Sequence, residues 1–273
     1  MKIKGHNVND VPNILRRKLY LSSAFVKRPE SQNAVISDLF VWRSDKFWDT
    51  YFELLDIYGL ITCDLDNSTK RDSIFKFFNR DGKLLFEKVI SGNSFARNTI
   101  CIRNLLDDSG LDKQTLGDYG TFSVFHSIDK SIDFESSLTD RGYCGYERSG
   151  TSFRGYVHGN FDAISNSENK LELLMGYGKL RQSYNLQHIL TGPSTYEIAL
   201  VNPTNKQQSV KIKITNMESE VYEKYSIPSR GLKIIKVNVL DNQTSRVKII
   251  SKMYMARPTV FRYTSNSMDV FHG

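Results

Sequence analysis

With 273 residues, 40% hydrophobic and 25% charged, the chain has material for one large or two ordinary domains with a packed core, which excludes wholesale disorder. The formal net charge of +7 is spread thinly: Arg16-Arg17-Lys18 and Lys27-Arg28 are the densest basic runs, no standard nucleic-acid module accompanies them, and nucleic acid is not an expected partner. The three cysteines, Cys63, Cys101 and Cys144, are too scattered for a disulfide framework or a zinc knuckle.

The N-terminus carries no apolar leader, and no run approaches the ~18 apolar residues of a membrane span, so the expected compartment is the cytoplasm. Residues 1–33 read as an N-terminal arm with a helix over 13–21, lying on the body of the protein or on a second copy and so offering a route to a homo-oligomer. The aromatic load of 16 Phe, 14 Tyr and 2 Trp tilts the rest toward β structure.

Strands are expected in "NAVISDLFVWR" and, from about Thr50, in "SDKFWDTYFELLDIYG". The second segment also has helical spacing through Phe47, Trp48, Tyr51, Phe52, Leu55 and Tyr58. "SIFKFFNRDGKLLFEKVI" is a hairpin turning at Arg80-Asp81-Gly82-Lys83. Further strands follow in "NTICIRNLLDD", "GTFSVFHSI", "YCGYERSG" and "RGYVHGN"; "NSENKLELLMGYG", 166–178, has room for one short helix. The C-terminal part alternates most clearly: in "QSVKIKITN", Val210, Ile212 and Ile214 face one way and Lys211, Lys213 and Thr215 the other. "TYEIALVNPTNKQ" precedes it, and "VYEKYSIP", "SRGLKIIKVNVL", "SRVKIISKM", "RPTVFRYT" and "MDVFHG" follow between turn residues.

The two halves match strand by strand. "TYFELL" aligns with "TYEIAL", "NTICIRNLLDD" with "LKIIKVNVLDN" and "RGYVHGN" with "MDVFHG", and longer loops in the first half absorb the drift in offset. This order of short strands and turns resembles an immunoglobulin-like or fibronectin-like sandwich. The expected architecture is all-β: an arm (1–33), two tandem, similar antiparallel β-sandwich halves (34–160 and 181–273) and a connector (161–180).

The chain has no glycine-rich phosphate loop, no GxSxG and no HExxH, so the common catalytic motifs are absent. No cofactor is expected. Of the five histidines, His158 and His272 close the two matching strands, where a ring N–H can reach a turn carbonyl. Two equivalent histidines could also meet about a pseudo-two-fold axis and act as acid–base or metal-binding groups, but no local ligand spacing supports a metal. Cys144 reads as a buried thiol rather than a nucleophile.

The densest polar-aromatic stretch, "RGYCGYERSGTSFRGYVHGN", nominates Tyr146, Arg148, Arg154, Tyr156, His158 and Asn160 as ligand-binding residues. Tyrosine stacks on sugar faces, and arginine and asparagine bond hydroxyls or acidic groups. The expected function is non-catalytic recognition of a carbohydrate or an anionic small ligand, in surface-polysaccharide metabolism. Its alternatives are a sugar-active enzyme using His158 and His272 and a structural assembly subunit.

Overall fold

The computed structural model describes residues 35–54, 70–93, 98–126, 142–159, 164–167, 170–173, 177–253 and 257–273. The arm, its helix and its role in oligomer formation, together with Cys63 and Asn160, lie outside the described residues.

In the first half, β1 (Val35–Ser37), β2 (Phe40–Arg43), β3 (Trp48–Leu54), β4 (Lys70–Asn79), β5 (Leu84–Asn93) and β6 (Asn98–Cys101) lead to two short helices, α1 (Ile102–Asp107) and α2 (Lys113–Leu116). Then come β7 (Tyr119–His126), β8 (Tyr143–Arg148) and β9 (Arg154–His158). β10 (Ile164–Ser167) and β11 (Lys170–Leu173) pair antiparallel beside β1, in the stretch that had room for one short helix. The second half contains β12 (Tyr177–Asn185), β13 (Leu190–Thr191), β14 (Ser194–Val201), β15 (Gln208–Thr215) and β16 (Glu220–Ile227). It closes with β17 (Leu232–Val239), β18 (Thr244–Met253), β19 (Thr259–Tyr263) and β20 (Met268–His272). No helix among the described residues is long and apolar enough to cross a membrane.

Four main sheets result, each drawn from strands that are not all consecutive: β2-β7-β4-β5, β6-β3-β8-β9, β17-β14-β19-β20 and β12-β18-β15-β16. The strands matched in sequence occupy matching places in these orders. One departure is local. "NTICIRNLL" leaves the sheet after Cys101 because Ile102 and Leu106 fall at helical spacing and bury one side of α1. Its counterpart, β17, keeps strict alternation through Ile235, Val237 and Val239.

The sheets are arranged as the four blades of a β-propeller, which overturns the expectation of two tandem immunoglobulin-like sandwiches. The physical reason lies in the blade β17-β14-β19-β20, which is buried on both faces. Tyr196, Ile198, Leu200, Ile235 and Val260 point into a core shared with Val210, Ile212, Val247 and Ile249. Their sequence neighbours Ala199, Val201 and Phe261, with Leu232, Met268 and Val270, enter the other core, which belongs mainly to the first half. A separate sandwich would leave that second face to solvent.

Phenylalanines dominate the first core. Phe40, Phe122 and Phe77 oppose one another across three strands, and Phe52 and Phe75 complete the cluster with ring centroids 5.6 Å apart. Phe261 reaches this core from the second half, its ring 5.0 Å from Trp48 and 4.9 Å from Tyr146. The buried Arg43 caps the junction: its guanidinium lies 4.9 Å from the Trp48 and the Phe261 ring centroids and pairs with Asp45 and Glu197. Backbone bonds add to it, from Leu232 N–H to the Arg80 carbonyl at 3.0 Å and from the Thr121 hydroxyl to the Arg230 carbonyl at 2.6 Å.

Phe261→Ala should therefore destabilise the whole chain by about 3–5 kcal/mol. Urea unfolding checks this, and the Trp48 emission should shift in the folded variant because its ring loses the Phe261 edge.

Candidate functional site

Strand register explains which side chains gather at the surface. Phe52 pairs with Ile100 and Cys144, and Ile198 pairs with Ile235 and Val260 at the equivalent place. Tyr51 therefore corresponds to Glu197, Glu53 to Ala199, Gly145 to Phe261 and Glu147 to Tyr263, which corrects the sequence alignment of "TYFELL" with "TYEIAL" by one residue. In the second half this face is covered by the first. In the first half the face of β6-β3-β8-β9 that carries Tyr51, Thr99, Glu147, Arg154 and Tyr156 is polar and partly open, with Tyr156 44% and Tyr143 37% exposed.

Arg154 organises this face. Its Nε and Nη2 donate to Glu147 Oε1 at 2.9 and 2.6 Å, and its guanidinium carbon lies 3.5 Å from the Tyr51 ring centroid. Glu53, nearly inaccessible, sits 3.8 Å from Arg154 Nη1. Its carboxylate accepts from the Thr99 hydroxyl at 3.1 and 3.0 Å and from the Tyr156 hydroxyl at 3.2 Å. Burial disfavours the Arg154 charge, but hydrogen bonds to Glu147 and Tyr156 outweigh it and raise its pKa. Burial, then Glu147, also raises the Tyr51 phenol. Gly145 makes the arrangement possible: a Cβ there would lie 2.3 Å from Arg154 Cδ and 2.9 Å from Tyr156 Cε1, so only glycine lets both side chains lie across β8.

The nominated residues divide between the two faces of the blade. Arg154, Tyr156 and His158 alternate with Gly155 and the buried Val157 and share the polar face. Tyr146 points the other way, buried, and donates its hydroxyl to the Val41 carbonyl at 2.7 Å, which makes it a core residue. Arg148 shares that side, its guanidinium carbon 4.4 Å from the Tyr263 and 5.6 Å from the Phe47 ring centroid. Tyr51, Glu53, Thr99 and Glu147 were not nominated from sequence. The available signal was Glu53, a carboxylate in the apolar run "YFELL", on the same strand face as Tyr51.

His158 and His272 do meet, with ring centroids 4.5 Å apart. The Nε2–H of His272 donates to the His158 carbonyl at 2.9 Å, and the Nδ1–H of His158 donates to the Gly159 carbonyl at 2.9 Å. The pair thus ties the closing strands of the two halves together. Among the described residues, no group of three His, Cys, Asp or Glu side chains could hold a metal ion. Gly159 serves packing here, because a Cβ would lie 2.2 Å from that of Asp38. Burial pushes the Cys144 thiol well up, as suits a packing residue.

No family model matches the chain, and no curated protein sequence matches it either.

Burial, followed by the positive field of His158 and Arg257, lowers the His272 pKa to about 4, against an ordinary imidazole value of about 6.5. Between those values the unfolded chain takes up a proton that the folded chain refuses, so stability should fall as pH drops from about 6.5 toward 4. The loss from this group is on the order of 2–3 kcal/mol, and above pH 6.5 the term is flat. Unfolding free energies across that range, compared with those of His272→Asn, check it: the variant should lose that part of the slope.

Proposed function

We propose that the chain is a non-catalytic binding protein whose polar β6-β3-β8-β9 face recognises a neutral carbohydrate. The observation that carries this reading is the asymmetry between equivalent faces. Where the second half presents Ala199 and Phe261 to a core, the first half presents Tyr51, Tyr156, Glu53 and Glu147 around a flattened Arg154. Tyrosine rings offer stacking surface to the C–H faces of sugar rings, and the partly exposed Glu147 carboxylate accepts from sugar hydroxyls while the buried Glu53 holds the Tyr156 hydroxyl in place.

The charge balance selects among ligands. Two carboxylates face one guanidinium, and nearby Asp49 is paired with Arg103, so this face repels an anion. A neutral, hydroxyl-rich ligand therefore fits it better than the anionic alternative. The cytoplasm is the proposed compartment, in keeping with the unpaired Cys101 and Cys144.

A glycan array carrying neutral and acidic saccharides tests this directly. The wild type should bind neutral structures, and Tyr156→Ala and Glu147→Ala should each weaken that binding at least tenfold while remaining folded by circular dichroism. An array with no neutral hit, or variants that bind as tightly as the parent, would sink the proposal.

A further inference from the structure

On the opposite side of the same blade, Arg148 stands in an unusual position. Its guanidinium carbon is flanked by Tyr263 at 4.4 Å and Phe47 at 5.6 Å, and Lys46 Nζ lies 4.9 Å from the Phe47 centroid. A guanidinium stacks on aromatic faces and its planar fork matches a carboxylate or phosphate with two bonds. Here the Nε–H is buried without a hydrogen-bond acceptor, and Arg148 forms no ion pair among the described residues.

The neighbouring acids are already engaged. Asp45 pairs with Arg43 and accepts the backbone N–H groups of Phe47 and Trp48 at 2.8 and 3.0 Å. Glu197 pairs with Arg43 and accepts from the Tyr263 hydroxyl at 3.1 Å. Glu147, the residue before Arg148, is turned to the other face by strand alternation and held by Arg154. Arg43, Lys46 and Arg148 against Asp45 and Glu197 leave one surplus positive charge here, opposite in sign to the carbohydrate face.

We infer that Arg148, flanked by Phe47 and Tyr263 and supported by Lys46, is a second binding site that takes the oxyanion group, carboxylate or phosphate, of a small ligand. A planar guanidinium edge matches two oxygens of either group, and the aromatic flanks hold that edge in one orientation and reduce competing water. Phe47, 48% exposed, supplies apolar surface for the body of the ligand beside its charged end. The site does not depend on the carbohydrate reading, because it lies on the other face and uses none of the same side chains.

The test titrates the intact chain at low ionic strength with glucuronate and, separately, with inorganic phosphate, following the arginine Nε–Hε resonances by NMR. The Arg148 resonance should move with at least one anion while that of Arg154 stays, and the better probe identifies which oxyanion the site prefers. Arg148→Gln should weaken the interaction at least tenfold, Arg154→Gln should leave it unchanged, and Lys46→Gln, at an exposed position, should weaken it severalfold. If Arg148→Gln does not fold, the wild-type resonance and Lys46→Gln decide. The inference is overturned if neither anion binds, if the Arg148 resonance is unmoved, or if a folded Arg148→Gln binds like the parent.

Discussion

Burial of both faces of the β17-β14-β19-β20 blade is the constraint on which the rest of this structure depends. A half-buried antiparallel sheet needs only alternate apolar residues, but Ile198–Val201 ("IALV") and Val260-Phe261 run apolar without interruption and require partners on both sides. Tyr196, Ile198 and Val260 find theirs within the second half. Ala199, Val201 and Phe261 find theirs among Trp48, Tyr146 and the phenylalanines of the first. The Arg43–Glu197 pair and the His272–His158 bond then fix the two halves at places where polar groups would otherwise be buried alone.

That constraint also explains why two related halves carry different surfaces. Matching strands occupy matching places in each pair of sheets, yet one copy of the equivalent face serves as core and the other is left free. A free face tolerates charge, and the first half has placed there a carboxylate–arginine–tyrosine cluster whose members hold one another in position. Across the same blade, strand alternation separates Arg148 from Glu147, so a surplus negative and a surplus positive surface arise on opposite sides of β8.

Much of the local structure was legible in the sequence. Alternation in "QSVKIKITN" and "LKIIKVNVL" marks strands, the Arg80–Lys83 turn marks a hairpin, and the paired His-Gly endings mark equivalent strand ends that come together. The blade arrangement was less legible, because short strands with regular turns suit a sandwich and a propeller equally, and the difference lies in which sheet face meets which. The run "IALV" was the available clue, since a solvated outer face would have broken it with polar residues. The helix α1 was hidden because Ile102 and Leu106 satisfy helical spacing within a segment that also aligns with a strand. At the candidate site, strand parity could place Arg154, Tyr156 and His158 on one face, whereas bringing Glu53 from β3 and Glu147 from β8 to Arg154 required the register between strands. Tyr146 lies among polar neighbours in sequence, the setting of a binding residue, yet strand parity turns its ring into the core.

Native-state hydrogen exchange in rising denaturant, resolved by residue, tests most directly whether the two halves share one core. Amides of β14 and β19 should merge with those of β3 and β8 into a single opening isotherm, because exposing Phe261 opens the Trp48–Tyr146 core at the same time. If the strands of the second half exchange through a separate transition that leaves β3 and β8 fully protected, the halves are independent units and this account is wrong.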